Sequence, residues 1–212
     1  MHFLITAGGT REYIDPVRFI SNASSGRMGY ALARAAIAAG HKVTLVSAPT
    51  SLKPPRGAKA INVVSASDMY AAVQKHFPSC GCLIMAAAVS DYTPAKSSQK
   101  KLKKSATVMT LRLKPSVDIL KWAGHHKRRQ VVVGFALEDK DVLKRAEGKL
   151  KAKRADIMVV NTPDAINAES SSPAIKTSSS DWLILGNRKK SSSARKIIEV
   201  VEELAAAKRN RR

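Results

Sequence analysis

Ile5-Thr6-Ala7-Gly8-Gly9-Thr10-Arg11-Glu12-Tyr13-Ile14-Asp15-Pro16-Val17-Arg18-Phe19-Ile20-Ser21-Asn22-Ala23-Ser24-Ser25-Gly26-Arg27-Met28-Gly29 decides the fold. An apolar strand over residues 2–6 enters a Gly-Gly-Thr turn, crosses a polar loop and reaches Ser-Ser-Gly at the head of an Ala-rich helix. That helix covers residues 27–39, with apolar positions at helical spacing. Gly40 stands where a C′ glycine ends a helix. Lys42-Val43-Thr44-Leu45-Val46 is the next strand. Strand, loop, helix and strand at this spacing make a right-handed βαβ unit. Both small-residue turns expose backbone N–H groups. The second lies at a helix N-terminus, where the dipole favours an anion, so the layout suits a phosphate-bearing ligand.

Working outward, the alternation continues. Short strands are expected at 61–64, 83–88, 130–135, 156–161 and 182–185, and an alternating strand with one wet face at 108–113. Helices are expected from Ser65 or Ser67 to about Phe77, over 117–123, from Asp139 to about Arg154, and over 194–207. Residues 162–180 are Ser-rich and read as a loop. The pattern predicts an α/β fold: a doubly wound, Rossmann-like, mostly parallel sheet with ligands at the carboxyl ends of its strands. Residues 91–115 break the alternation and read as an inserted flap. The expected division is one domain over 1–207 and a frayed basic tail at 208–212.

Composition bounds the partners. A chain of 212 residues with 44% apolar content supports one full core. No apolar run approaches a membrane span, and Met1-His2-Phe3-Leu4-Ile5-Thr6 lacks the basic start of a signal peptide, so no membrane is expected. Cys80 and Cys82 are too close to staple a fold, which points to a reducing cytoplasm. The formal charge of +21 raises nucleic acid as a partner. With only 5% aromatic residues there is little for base stacking, so anionic small ligands are favoured and nucleic acid is disfavoured.

Several groups carry chemistry. Gly8-Gly9-Thr10 is either a bare tight turn or half of a phosphate cradle completed by Ser24-Ser25-Gly26. A standard dinucleotide fingerprint is disfavoured, because Ser47 rather than an acid ends the second strand. Asn22 can donate to an oxyanion and accept from an amine, or simply serve the turn. The small residues Ala86-Ala87-Ala88 let a flat ring approach the backbone, with Asp91 placed for a ribose hydroxyl or an Asx turn. Lys100-Lys101-Leu102-Lys103-Lys104 on the flap is a mobile ammonium cluster of the kind a triphosphate needs, or a solvated face. Phe135 sits just past a strand end, where backbone groups beside it could read a base edge; the alternative is a core Phe. Lys149, Lys151 and Lys153 point to different sides of their helix, and at least one can reach phosphates. Cys80-Gly81-Cys82 has no ligand companions at metal spacing and reads as a turn and buried strand, while His125-His126 reads as an exposed helix end.

Together these residues resemble the phosphopantothenoylcysteine synthetase (phosphopantothenate–cysteine ligase) family. Gly8 to Glu12, Asp15 to Arg18 and Asn22 to Gly26 match its first signature; Ala87 to Tyr92, Lys101 to Lys104, Gly134 to Ala136 with Glu138, and Asp156 to Asn161 match later blocks. The resemblance covers about residues 2–207. It implies a cytoplasmic ligase of coenzyme A biosynthesis that consumes CTP, passes through an acyl-cytidylate and then joins cysteine; eukaryotic relatives use ATP. It implies roles for Lys101 in the first step and Asn22 in the second, with Arg18 near the substrate. Gly8, Gly9, Thr10, Ser24, Ser25, Gly26, Ala87, Asp91, Phe135, Lys149 and Lys153 would then hold the nucleotide. It further implies a homodimer whose flaps serve each other's sites, and magnesium carried mainly by phosphates. The flavin-dependent decarboxylase often fused to this ligase would be a separate partner, since the chain starts at the ligase's first strand. The sequence departs from the family at Leu137 and Asp139, at Lys100 before the flap lysine, and at Val117, where Pro is usual. A non-catalytic Rossmann-like module binding nucleotide or nucleic acid is the competing reading.

Overall fold

The computed structural model describes residues 1–104 and 106–210; Ser105 of the expected flap and Arg211 and Arg212 of the expected tail lie outside the described residues. β1 (His2–Ala7) leads through a ribbon of β2 (Arg11–Tyr13) and β3 (Phe19–Ser21) into α1 (Arg27–Ala38) and β4 (Lys42–Ser47). β5 (Ala58–Asn62), α2 (Ala66–His76) and β6 (Cys82–Met85) follow. A second ribbon, β7 (Tyr92–Pro94) and β8 (Leu113–Pro115), precedes α3 (Ile119–His126), β9 (Val131–Leu137), α4 (Val142–Ala152) and β10 (Ile157–Asn161). The chain ends with β11 (Ser170–Ser171), β12 (Ala174–Thr177), β13 (Leu183–Ile184), β14 (Arg188–Lys189) and α5 (Lys190–Asn210).

The main sheet runs β13-β12-β10-β9-β6-β1-β4-β5. Every pair from β5 to β10 is parallel, and the β10–β12 and β12–β13 pairs are antiparallel. Chain order reverses at β1, which lies between β4 and β6, as in a doubly wound sheet. Strand side chains alternate between two cores. Phe3, Ile5, Val43 and Leu45 pack with α1 and α5 on one face. Leu4, Val46, Leu83 and Met158 pack with α2, α3 and α4 on the other. Strands buried on both faces must be apolar at every position, which is why they read as continuous runs.

Local chemistry fixes the helices. The Ser65 hydroxyl accepts from Asp68 N while the Asp68 side chain accepts from Ser65 N, a capping box that starts α2. Glu12 is 4% exposed, and its Oε1 accepts from Ala66 N at 2.8 Å, tying the first loop to the same helix end. A Cβ on Gly29 would stand 2.5 Å from Ala7 Cβ and 2.9 Å from Thr6 O, so only glycine lets α1 lie this close to β1.

Several expectations are corrected. The strand expected at 61–64 is β5, three residues earlier at its start. Residues 108–112 form no strand, and Val108 is 94% exposed; pairing with the neighbouring backbone begins only where Arg112 O accepts from Ala95 N at 2.9 Å and Leu113 meets Pro94. The Ser-rich segment is not all loop, since β12 pairs with β10 and buries Ala174 and Ile175. The 83–88 strand stops at Met85, and α4 begins at Val142 after Asp141 takes a left-handed φ of 47°. The tail does not fray over its described part: α5 continues to Asn210, and Lys208 Nζ lies 2.6 Å from Asp156 Oδ1. Lys127 Nζ reaches the same oxygen at 2.7 Å. Cys80 and Cys82 are buried and unpaired with each other, and burial pushes the Cys80 thiol up to about 12.

Candidate active site

The site is built where the sheet reverses. β6 ends at Met85 opposite Gly134, so residues 135–137 of β9 continue without a β6 neighbour. The gap opens a cleft of about 670 Å³ at the carboxyl ends of the strands.

Its floor is residues 86–90, pinned to the first loop by main chain and buried hydroxyls. Ala88 N donates to Gly8 O at 2.9 Å, and Thr10 N donates to Ala88 O at 3.3 Å. Thr6 Oγ1 accepts from Ala87 N at 3.1 Å, and Thr10 Oγ1 accepts from Ser90 N at 2.9 Å. Both threonines are fully buried. Small side chains at Ala86, Ala87 and Ala88 leave a flat slot, with Phe135 among the lining residues.

The α1 N-terminus forms another wall. Gly26 caps it with φ 75°, and no side chain caps its first amides. Uncapped N–H groups and the helix dipole together favour an anion there. Arg27, also on the lining, adds a positive charge. Asn22 lies between the floor and this helix end. Its Nδ2 donates to Val89 O at 3.2 Å and Ala88 O at 3.4 Å, so its two N–H groups are committed. Its carbonyl oxygen is the atom left for a ligand, as an acceptor.

Four cations and two carboxylates line the cleft: Arg27, Lys149, Lys153 and Lys190 against Asp91 and Asp118. Lys149 and Lys153 share one face of α4, as positions four apart do. Lys149 Nζ is 2.5 Å from Glu138 Oε1, and Lys153 Nζ is 3.3 Å from Asp118 Oδ2. Lys151 turns away to Glu147 at 2.9 Å. Lys190 and Asn167 had no signal in the sequence. Lys190 Nζ donates to Ala165 O and Ala168 O, Arg27 donates to Asn167 O at 3.3 Å, and together they hold residues 165–168 as the far rim. Burial, reinforced by the Arg27 charge, lowers Lys190 from the ordinary lysine range.

The structure thus brings together Asn22, Ser24, Ser25, Gly26, Ala87, Asp91, Phe135, Lys149 and Lys153. It does not bring Gly8, Gly9 and Thr10 to the cleft. They are buried beneath its floor, and Gly8 takes φ 82° with Ala48 O only 2.8 Å from where a Cβ would lie. Gly8 O, Thr10 N and Thr10 Oγ1 are spent on residues 88–90. Arg18 and Lys101 also lie off this lining. Arg18 is paired with Asp15, and Lys101 is exposed on the flap. Among the described residues, no three His, Cys, Asp or Glu side chains are grouped to hold a metal.

An uncapped helix end and a slot of small residues meet at the switch point of a doubly wound sheet, the Rossmann-like arrangement. Residues 1–204 match the family described as the DNA/pantothenate metabolism flavoprotein C-terminal domain, and the chain belongs to that family. It is 49% identical over 168 residues to the coenzyme A biosynthesis bifunctional protein CoaBC of Bacillus subtilis, covering 79% of this chain and 41% of that protein. The protein of the same name from Vibrio parahaemolyticus is 48% identical over 161 residues, covering 74% of this chain and 40% of that one. The chain therefore spans about two fifths of these relatives' length. The crystal structure of the C-terminal domain of a CoaBC protein superposes with a TM-score of 0.85 at 37% identity, covering 97% of this chain and 96% of that one.

Proposed function

We propose that this chain is a phosphopantothenate–cysteine ligase that activates its acid with CTP. One observation carries the reading. An uncapped helix end, a slot of small residues and an excess of cations face one crevice, in a chain of the family borne by the C-terminal half of CoaBC proteins.

An amine does not displace oxide from a carboxylate at useful rates, so the acid must first gain a leaving group. A carboxylate oxygen of phosphopantothenate bonds to the α-phosphorus of CTP, and the bond to the bridging oxygen breaks as pyrophosphate leaves. The nitrogen of cysteine then bonds to the acyl carbon, CMP leaves with the electrons of the acyl C–O bond, and the nitrogen loses its proton. Residues of this chain supply positioning and charge. The α1 N-terminus and Arg27 hold phosphate, the alanine slot and Phe135 hold the ring, and Asp91 accepts from ribose. Asn22 Oδ1 accepts from the incoming amine and aims its lone pair, since its N–H groups are already used. Lys101 serves the triphosphate from the flap. Magnesium would be carried by the nucleotide's phosphates, where it would offset their charge, and no step is routed through it.

A homodimer follows from the same reading. Tyr13, Val17 and Phe19 near the first ribbon and Tyr92, Leu113 and Val117 near the second are all more than a third exposed, an apolar surface that a second copy would cover. Lys101, off the cleft of its own chain, would serve its partner's. A flavin-dependent decarboxylase activity would lie in a separate segment or chain. No helix among the described residues is long and apolar enough to cross a membrane. The test is purified protein with CTP, magnesium, phosphopantothenate and cysteine. CMP and pyrophosphate should form in equal amounts, with ATP the poorer substrate. No CMP from folded, dimeric protein overturns the reading, and faster turnover with ATP overturns the nucleotide assignment.

A further inference from the structure

Three groups fasten the flap to the first loop. Ser97 Oγ donates to Tyr13 O at 2.7 Å, and Ser98 N donates to Ile14 O at 2.8 Å. The third is a carboxylate. Asp15 is 1% exposed, although it sits in a surface loop. Its Oδ1 accepts from Val17 N and Arg18 N, both at 2.8 Å. Its Oδ2 accepts from Arg18 Nε at 2.9 Å and Nη2 at 2.5 Å, and from Leu102 N at 3.1 Å. Arg18 Nη2 also donates to Leu102 O at 2.7 Å. One side-chain ion pair therefore grips both main-chain groups of Leu102, the residue after Lys101. Ser98 Oγ supports the approach by accepting from Lys100 N at 3.2 Å and donating to Lys100 O at 2.6 Å. Lys101 is bracketed between two anchored neighbours while its own side chain stays exposed.

The Asp15 carboxylate has no need of Leu102 to be ionised and paired, since four N–H groups from Val17 and Arg18 already satisfy it. The extra bond serves the flap. We propose that Asp15, with Arg18, is the positioning residue for Lys101. It clamps Leu102 and so limits the arc through which the ammonium can swing. A lysine tethered this way loses less conformational entropy on meeting a triphosphate than one on a free loop. The proposal rests on the part given to Lys101 above. It also gives the Arg18 guanidinium a second task, holding Leu102 O, beside any contact with substrate.

Two variants test it. Asp15→Asn keeps the size and one acceptor and removes the charge that holds Arg18. Leu102→Pro removes the N–H that Asp15 grips and also restricts the backbone of Lys101 before it, so its cleavage rate rather than its activity reads the clamp, on an exposed segment where folding is not at stake. Two readouts separate the outcomes: the rate of trypsin cleavage after Lys103 and Lys104, bonds that neither substitution makes resistant, followed by mass spectrometry, and single-turnover release of pyrophosphate. Both variants should be cleaved about tenfold faster, release pyrophosphate about tenfold more slowly and leave the CTP KM within about twofold. Unchanged cleavage in both variants overturns the clamp, whatever happens to activity. Faster cleavage with normal pyrophosphate release leaves a tether but overturns the positioning role given to Asp15, and whether Lys101 itself acts in the first step is then read from Lys101→Gln. Should Asp15→Asn fail to fold, Leu102→Pro decides the clamp alone by its cleavage rate.

Discussion

The floor of the cleft and the flap beside it come from opposite regimes. The floor, residues 86–90, is bound to the first loop by two main-chain bonds and two buried hydroxyls, with Gly8 held left-handed beneath it. The flap is exposed along most of its length, and its bonds to the first loop include those of Ser97, Ser98 and Leu102. A substitution in the floor should therefore be felt as lost stability. One at the flap should be felt in the reaction with stability intact, because little of the flap's surface is buried on folding.

The comparison breaks most clearly at Gly29. Gly29→Val places two methyl groups where one carbon is already 2.5 Å from Ala7 Cβ, and should cost about 4 kcal/mol by urea denaturation. A loss under 1 kcal/mol would show that α1 can lift off β1. At the flap, Lys101→Gln should slow pyrophosphate release by about 3 kcal/mol of transition-state stabilisation and shift the urea midpoint negligibly. Near-normal release removes that role. Thr10→Val comes next. It keeps the shape but leaves the amide of Ser90 unpaired in a buried place, for about 2 kcal/mol of stability. Asn22→Asp should slow amide formation more than pyrophosphate release, because it puts a second acceptor where Asn22 Nδ2 now donates to Val89 O. Equal slowing of both steps would count against an acceptor role toward the amine.

The same contrast explains what the sequence revealed. Strands buried on both faces announce themselves, since Phe3-Leu4-Ile5 and Val131-Val132-Val133 must satisfy two cores at once. The helix end at Gly26 was legible because Ser-Ser-Gly before an Ala-rich run has few other meanings. Gly8-Gly9-Thr10 was legible as a turn but not as a buried one. The partners of Gly8 O, Thr10 N and Thr10 Oγ1 at residues 88–90 are some eighty positions away and leave no mark near the turn. The rim made by Lys190 and Asn167 was hidden for the same reason, and β12 was hidden by the serines around it. In residues 108–112 the period-two pattern misled, since alternation specifies a strand only where a neighbouring backbone runs alongside, and here it is met only at Arg112.

The smallest expected effect concerns the ion pair by which the first loop holds the flap. The Arg18 guanidinium holds the Asp15 carboxyl well below the usual carboxylate range. Burial opposes this, and the N–H groups of Val17, Arg18 and Leu102 add to it. In the unfolded chain the same group titrates in the ordinary range. Its contribution to stability is thus complete above that range and drains away as pH falls toward the depressed native value. From pH 7 to about 5 the clamp should stay closed and trypsin cleavage at Lys101 should follow only the enzyme's own pH profile. Below about pH 4 the stability of the native chain should decline more steeply than that of Asp15→Asn, whose side chain has no proton to gain. Urea midpoints measured on both from pH 7 to 2 test this. Parallel curves would mean that the charge on Asp15 is idle and that the clamp does not depend on it.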